Sequence, residues 1–143
     1  MWAKGRGRSG LRIRGERGHP VVRRCLIRYG VWLRANYEFP VLVAVYLHPG
    51  PTFIASNGEV VVSSFFGPDD AREEPFIRIS TGDYPDLQRE RGRDNALASY
   101  VIELSRQLVC YRHWLATGDI SPSNLHKRSL AMLRRYNQDV AHP

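Results

Sequence analysis

Cys110, His113 and His126 are the side chains best suited to hold a metal ion, one thiol and two imidazoles. Zinc takes sulfur and nitrogen ligands of these kinds, and a spacing of three residues lets Cys110 and His113 approach from one turn of a helix. The same cysteine is a candidate nucleophile, since Arg106 and His113 on either side of it can lower a thiol's pKa. A plainer reading stands against both. A lone cysteine on a helix is usually an inert packing residue, and a fixed guanidinium one turn away opposes a divalent cation. Arg106 and Glu103 read most simply as an ion pair three residues apart. A second set of side chains suits phosphate instead: Arg6, Arg8, Arg12, Arg14 and Arg17, spread through a glycine-rich start.

The helix that must carry residues 106 to 113 is written in a stripe of Leu97, Val101, Leu104, Leu108, Tyr111 and Leu115, spaced alternately by four and three. At about 100° per residue, the opposite side presents Ser99, Glu103, Arg106, Cys110 and His113. Asp94 is placed to cap its start, and Gly118 to end it in the left-handed conformation. Pro20 opens an earlier helix that turns Val22, Leu26, Tyr29 and Leu33 inward, with Arg23, Arg24, Arg28 and Arg34 elsewhere. A last helix begins at Ser121-Pro122 and carries Leu125, Leu130, Leu133 and Tyr136 toward the core. Between the first two helices lie Pro40 to Leu47, Thr52 to Ser56, Glu59 to Phe66 and Pro75 to Ser80, all β-branched or aromatic. Turn signals separate them at Pro49-Gly50-Pro51 and Asn57-Gly58, the second a strong hairpin signal. These segments predict a three- or four-stranded, mostly antiparallel sheet packed on the long helix, an α+β fold. Thr81 to Arg93 reads as a polar, punctuated connection.

A strand layer, a long helix with a polar far face and then a second helix resembles the minimal zincin metallopeptidases. The segment from Phe76 to Trp114 is similar to small bacterial proteins of that type, whose helix carries HExxHYxxW where this chain reads RQLVCYRHW from Arg106 to Trp114. The phrase Thr81-Gly82-Asp83 and the run Gly92-Arg93-Asp94-Asn95-Ala96-Leu97-Ala98 extend the likeness, which covers about residues 25–137. In the glutamate-zincin branch the two histidines bind zinc, the glutamate activates the metal-bound water, and the next helix supplies a third ligand. Matched position by position, the resemblance implies lost catalysis. Arg106 stands in place of the first histidine, Gln107 in place of the glutamate and Cys110 in place of the second histidine. An amide orients water but does not take its proton. The last helix has no acid between Ser121 and Tyr136, and His126 falls near the third-ligand position. The resemblance therefore implies a zincin-like pseudoenzyme, with no cofactor expected, that binds a protein or peptide partner.

The formal charge is +7, but residues 1–19 hold six basic side chains against Glu16, while the other 124 residues carry 15 basic and 13 acidic ones. The basicity belongs to a tail, read as residues 1–19 and disordered because of its glycine density, ahead of one domain over residues 20–143. An Arg-Gly tail gives a second reading of the chain as a nucleic-acid-binding protein, although no helix-turn-helix, KH or RRM signature accompanies it. A third reading is a zinc peptidase with atypical ligands. Cys25 and Cys110, with no CxxC pair, suggest reduced thiols and a cytoplasmic setting. The longest apolar run, Pro40 to Leu47, is far too short to span a membrane.

Overall fold

The apolar run between residues 40 and 47 becomes an inner strand of a four-stranded mixed sheet. The computed structural model describes residues 7–140. Along the chain it forms β1 (Leu11–Arg14), α1 (Pro20–Asn36), β2 (Val43–His48), β3 (Phe53–Ile54), β4 (Val60–Val61), β5 (Ser63–Phe66), β6 (Phe76–Ser80), α2 (Tyr84–Arg91), α3 (Arg93–Thr117) and α4 (Leu125–Asp139). The main sheet has the order β1-β2-β6-β5, and β3 and β4 form a separate hairpin. The α+β class holds. The mostly antiparallel sheet does not: β1 with β2 and β2 with β6 are parallel, and only β5 runs against β6. The reason is connectivity. β1 returns to β2 through α1, a crossover that keeps strand direction. The turn at residues 49–51 leads into the small hairpin instead of folding back along β2. The hairpin signalled by Asn57-Gly58 forms, but through a three-residue loop of Ser56, Asn57 and Gly58: Phe53 lies opposite Val61, the Gly58 amide donates to the Ala55 carbonyl at 2.9 Å, and Gly58 takes φ 86°.

The reading of residues 1–19 as a disordered tail is corrected over its second half. Lys4 and Arg6 lie outside the described residues, but Leu11–Arg14 pairs with Val43–Tyr46 as an edge strand. Leu11 is 3% exposed. Two of the glycines in this stretch serve close packing: a Cβ on Gly18 would stand 2.6 Å from the Cβ of Leu47, and one on Gly15 2.9 Å from the same side chain. The turn is then tied down at its far end, where the His19 amide donates to the Thr81 hydroxyl at 2.9 Å.

Period-two alternation sends Leu11, Val43, Val45, Leu47, Ile77 and Ile79 to the face covered by helices, all of them buried. Full burial of such side chains contributes roughly 1.5–3 kcal/mol each. Against them lies the predicted stripe of α3, with Val101, Leu104, Leu108, Tyr111 and Leu115 buried and Leu97 half-buried. Gly118 ends α3 at φ 81°, and its amide donates to the Trp114 carbonyl at 2.8 Å. The start differs from expectation. Gly92, at φ 82°, both ends α2 and begins α3, so Asp94 sits exposed in the first turn instead of capping it. The last helix also begins later than Ser121, at Leu125, after Asn124 in a left-handed conformation. The first and third helices are joined deep in the core by a 2.6 Å hydrogen bond between the hydroxyls of Tyr29 and Ser105. Tyr29, Trp32 and Tyr136 form an aromatic cluster that seats α4 on α1. Among the described residues, no helix is long and apolar enough to cross a membrane.

Candidate functional site

The polar side of α3 divides into two environments. Toward β5, the Gln107 amide donates to the Ser63 hydroxyl at 2.8 Å, and that hydroxyl donates to the Glu103 carboxylate at 2.8 Å. The expected pair of Glu103 with Arg106 is therefore corrected: the carboxylate turns to the edge strand instead. Toward α4, Cys110 is 8% exposed. Burial pushes its thiol pKa up, outweighing the downward pull of Arg106 and Arg128. A thiol held protonated in this way is a poor nucleophile at neutral pH. His113 is half-buried and His126 is exposed on the first turn of α4. Among the described residues, no three histidine, cysteine or acidic side chains converge where a metal ion could be held. The structure thus brings Gln107 and Ser63 together, and does not gather Cys110, His113 and His126 into one cluster.

The Thr81-Gly82-Asp83 phrase is a structural knot. The Thr81 hydroxyl donates to the His48 carbonyl at 2.9 Å while accepting from His19. The Gly82 amide donates to the Gly50 carbonyl at 2.9 Å. Asp83 accepts from the Tyr100 hydroxyl, so α1, β2, β6 and α3 all meet here. Burial first, and the Asp83 carboxylate second, hold the Tyr100 phenol well above its ordinary pKa.

Sequence reasoning missed the outward face of the sheet. Two cross-strand rows occupy it. One runs Arg12, Ala44, Phe76, Phe66, and the next runs Arg14, Tyr46, Arg78, Ser64. Arg12, Arg14 and Arg78 are exposed, and Tyr46 is 43% exposed. Tyr46 meets Phe76 edge-on with ring centres 5.9 Å apart, and Phe76 meets Phe66 at 5.1 Å. Two depressions of about 440 and 370 Å³ open over these rings and share Arg14, Tyr46 and Phe76, with Arg17 lining the second. Arg8, of the same candidate set, is held by Glu74 at 2.6 Å. The alternation in LRIR is the signal that could have found this face, but it counts for nothing in a segment read as disordered. A further cavity of about 810 Å³ lies between α1, α3 and α4, with Arg24, Cys25, Arg28 and Arg93 among the residues that line it.

No protein-family model, curated protein or solved structure gives a significant match to this chain.

Proposed function

We propose that this chain is a zincin-like scaffold that has lost hydrolysis and works as a binding module. The observation that carries the reading is the hydrogen-bonded relay from Gln107 through Ser63 to Glu103. A hydrolytic zincin needs a carboxylate at position 107 facing an open metal position. Here that position holds an amide, and the amide is committed to fastening the edge strand. Arg106 adds a permanent positive charge at the position of the first ligand. Cys110, at the position of the second, is buried.

Elemental analysis of the purified protein, together with a chelator-sensitive cleavage assay on an unfolded protein substrate, tests the reading. A scaffold of this kind carries no stoichiometric zinc and cleaves nothing. Stoichiometric zinc with cleavage that disappears in Cys110→Ala would overturn it.

A further inference from the structure

We infer that the outward face of the four-stranded sheet is a binding platform for single-stranded nucleic acid, with Tyr46 and Phe76 stacking on bases and Arg12, Arg14, Arg17 and Arg78 holding phosphates. This rests on the binding-module reading and deepens it by naming a ligand class, and it places Arg12, Arg14 and Arg78 on the surface formed by β1, β2 and β6.

The topology supplies the first reason. Strands paired in parallel are ordinarily covered on both faces, because each crossover lays a helix on the sheet. In this chain the helices cover one face. On the other, the Phe53 ring of the small hairpin lies 5.3 Å beneath the Arg78 guanidinium. What remains open is an unusual surface: three rings in edge-to-face contact from β2 to β5, bordered by guanidinium groups.

The spacing supplies the second. Neighbouring strands lie about 4.8 Å apart, and positions on one face recur about every 6.6 Å along a strand. Arg14 and Arg78 therefore flank Tyr46 one strand away on each side, in a single row. Arg12 lies in the next row, with Phe76 two strands over. A charged backbone with flat bases matches an alternation of cation and ring on this scale.

Charge selects a polyanion. The acids that line the two depressions are Glu16 and Glu74, and Arg8 already neutralises the second. The rings then select among polyanions. An acidic peptide uses the arginines but leaves the aromatic rows idle. A duplex hides the flat faces of its bases in its own stack, whereas a single strand presents them. Such platforms combine a phosphate-tracking basic surface with aromatic rings, and they tolerate any base because each has a π-face.

Fluorescence anisotropy on the full chain tests this, with labelled oligothymidylate and oligouridylate of about a dozen nucleotides. A hairpin duplex of equal charge and a polyglutamate peptide serve as competitors. The single strands are expected to bind, with log K falling against log salt at a slope of about −2.8 for four phosphate contacts. Both competitors are expected to displace them poorly. Tyr46→Leu should weaken binding at least about fivefold while Tyr46→Phe retains it, since only a ring stacks. The pair Arg12→Gln with Arg14→Gln should reduce the slope by about 1.4. Lys127→Gln with Arg134→Gln, which removes the same charge from α4, should leave the slope nearly unchanged. Melting curves of each variant separate lost binding from lost folding. Equal binding by Tyr46→Leu, efficient competition by polyglutamate, sensitivity to the α4 pair alone, or absence of binding would each overturn the platform. A zinc-loaded, proteolytic protein that still binds through Tyr46 would overturn the scaffold reading and leave the platform standing.

Discussion

Gln107 and Ser63 lie 2.8 Å apart, amide to hydroxyl, and so stitch the middle of the longest helix to the edge strand of the sheet. The Ser63 hydroxyl donates in turn to the Glu103 carboxylate one turn earlier, so it both accepts and donates. A glutamine suits this arrangement where a glutamate does not, because only the amide has a hydrogen to give.

Gln107→Glu should therefore destabilise the protein. It deletes the donor and sets a second carboxylate beside Glu103. Repulsion raises the folded-state pKa of one of the two, so stability is kept at low pH and lost as pH rises through that value. A loss of about 1–2 kcal/mol is expected at pH 7, shrinking below about pH 5. Urea melts of both proteins at the two pH values check this. Identical midpoints at pH 7 would show that the relay contributes nothing.

The N-terminal strand should matter more than its composition suggests. Leu11→Ala removes a buried side chain from the sheet and is expected to cost about 2–3 kcal/mol. Deleting residues 1–19 also removes the strand pairing and the His19 link to Thr81, and should lower the melting temperature by roughly 10 °C or more. Thermal melts followed by circular dichroism measure both, and a truncated protein melting with the full chain would mean that β1 does not hold the sheet.

Gly82→Ala should be among the most damaging small changes. A Cβ at this position would stand 2.4 Å from the Pro49 carbonyl oxygen and 2.5 Å from the Gly50 carbonyl carbon, and backbone yields less readily than a side-chain tip. The expected loss is about 2–3 kcal/mol by denaturant melt. Gly58→Ala, with open space around it but a positive φ, should cost only about 1 kcal/mol.

Alkaline pH should unfold the protein. Burial holds the phenols of Tyr29, Tyr100 and Tyr111 above their ordinary value. The unfolded chain releases these protons near pH 10, while the folded one retains them. The stability they contribute is complete below that pH and is lost as pH rises above it. The melting temperature should fall steeply above about pH 10. Tyrosinate absorbance from these side chains should rise together with the loss of helical signal, not before it. Full ionisation with helicity intact would contradict their burial.

The long helix is legible in the sequence because a 25-residue element gives its apolar stripe many turns in which to declare itself. The hairpin at Asn57-Gly58 is legible because a glycine free to take a positive φ marks a tight turn between two apolar runs. β1 is not: four residues of LRIR, set among glycines and arginines, alternate for too short a span to outweigh their composition. α2 escapes because only Tyr84 of its eight residues is buried, so it writes no stripe. Strand direction is hidden as well, since nothing local in β2 records that its partners lie on distant segments to either side. At the candidate site, the residue types on α3 are readable, but not which neighbour each one faces. That depends on where β5 and α4 settle, and α4 begins at Leu125, past the expected cap at Ser121.

The sheet order has a consequence for how the chain assembles. β1, α1 and β2 form one sequence-local unit, and β5 with β6 forms another, joined by the loop of residues 67–75. In the first unit α1 forms locally and takes up much of the span between the two strands. The parallel seam between β2 and β6 joins the units, and the stretch from His48 to Ser63 between them holds the small hairpin. Each half can therefore gather its own contacts early, whereas the seam waits on a costlier closure. The Asn57-Gly58 turn lies in the stretch between the halves. Opening the chain there leaves every strand of the main sheet whole, which makes the protein a natural subject for two-fragment reassembly.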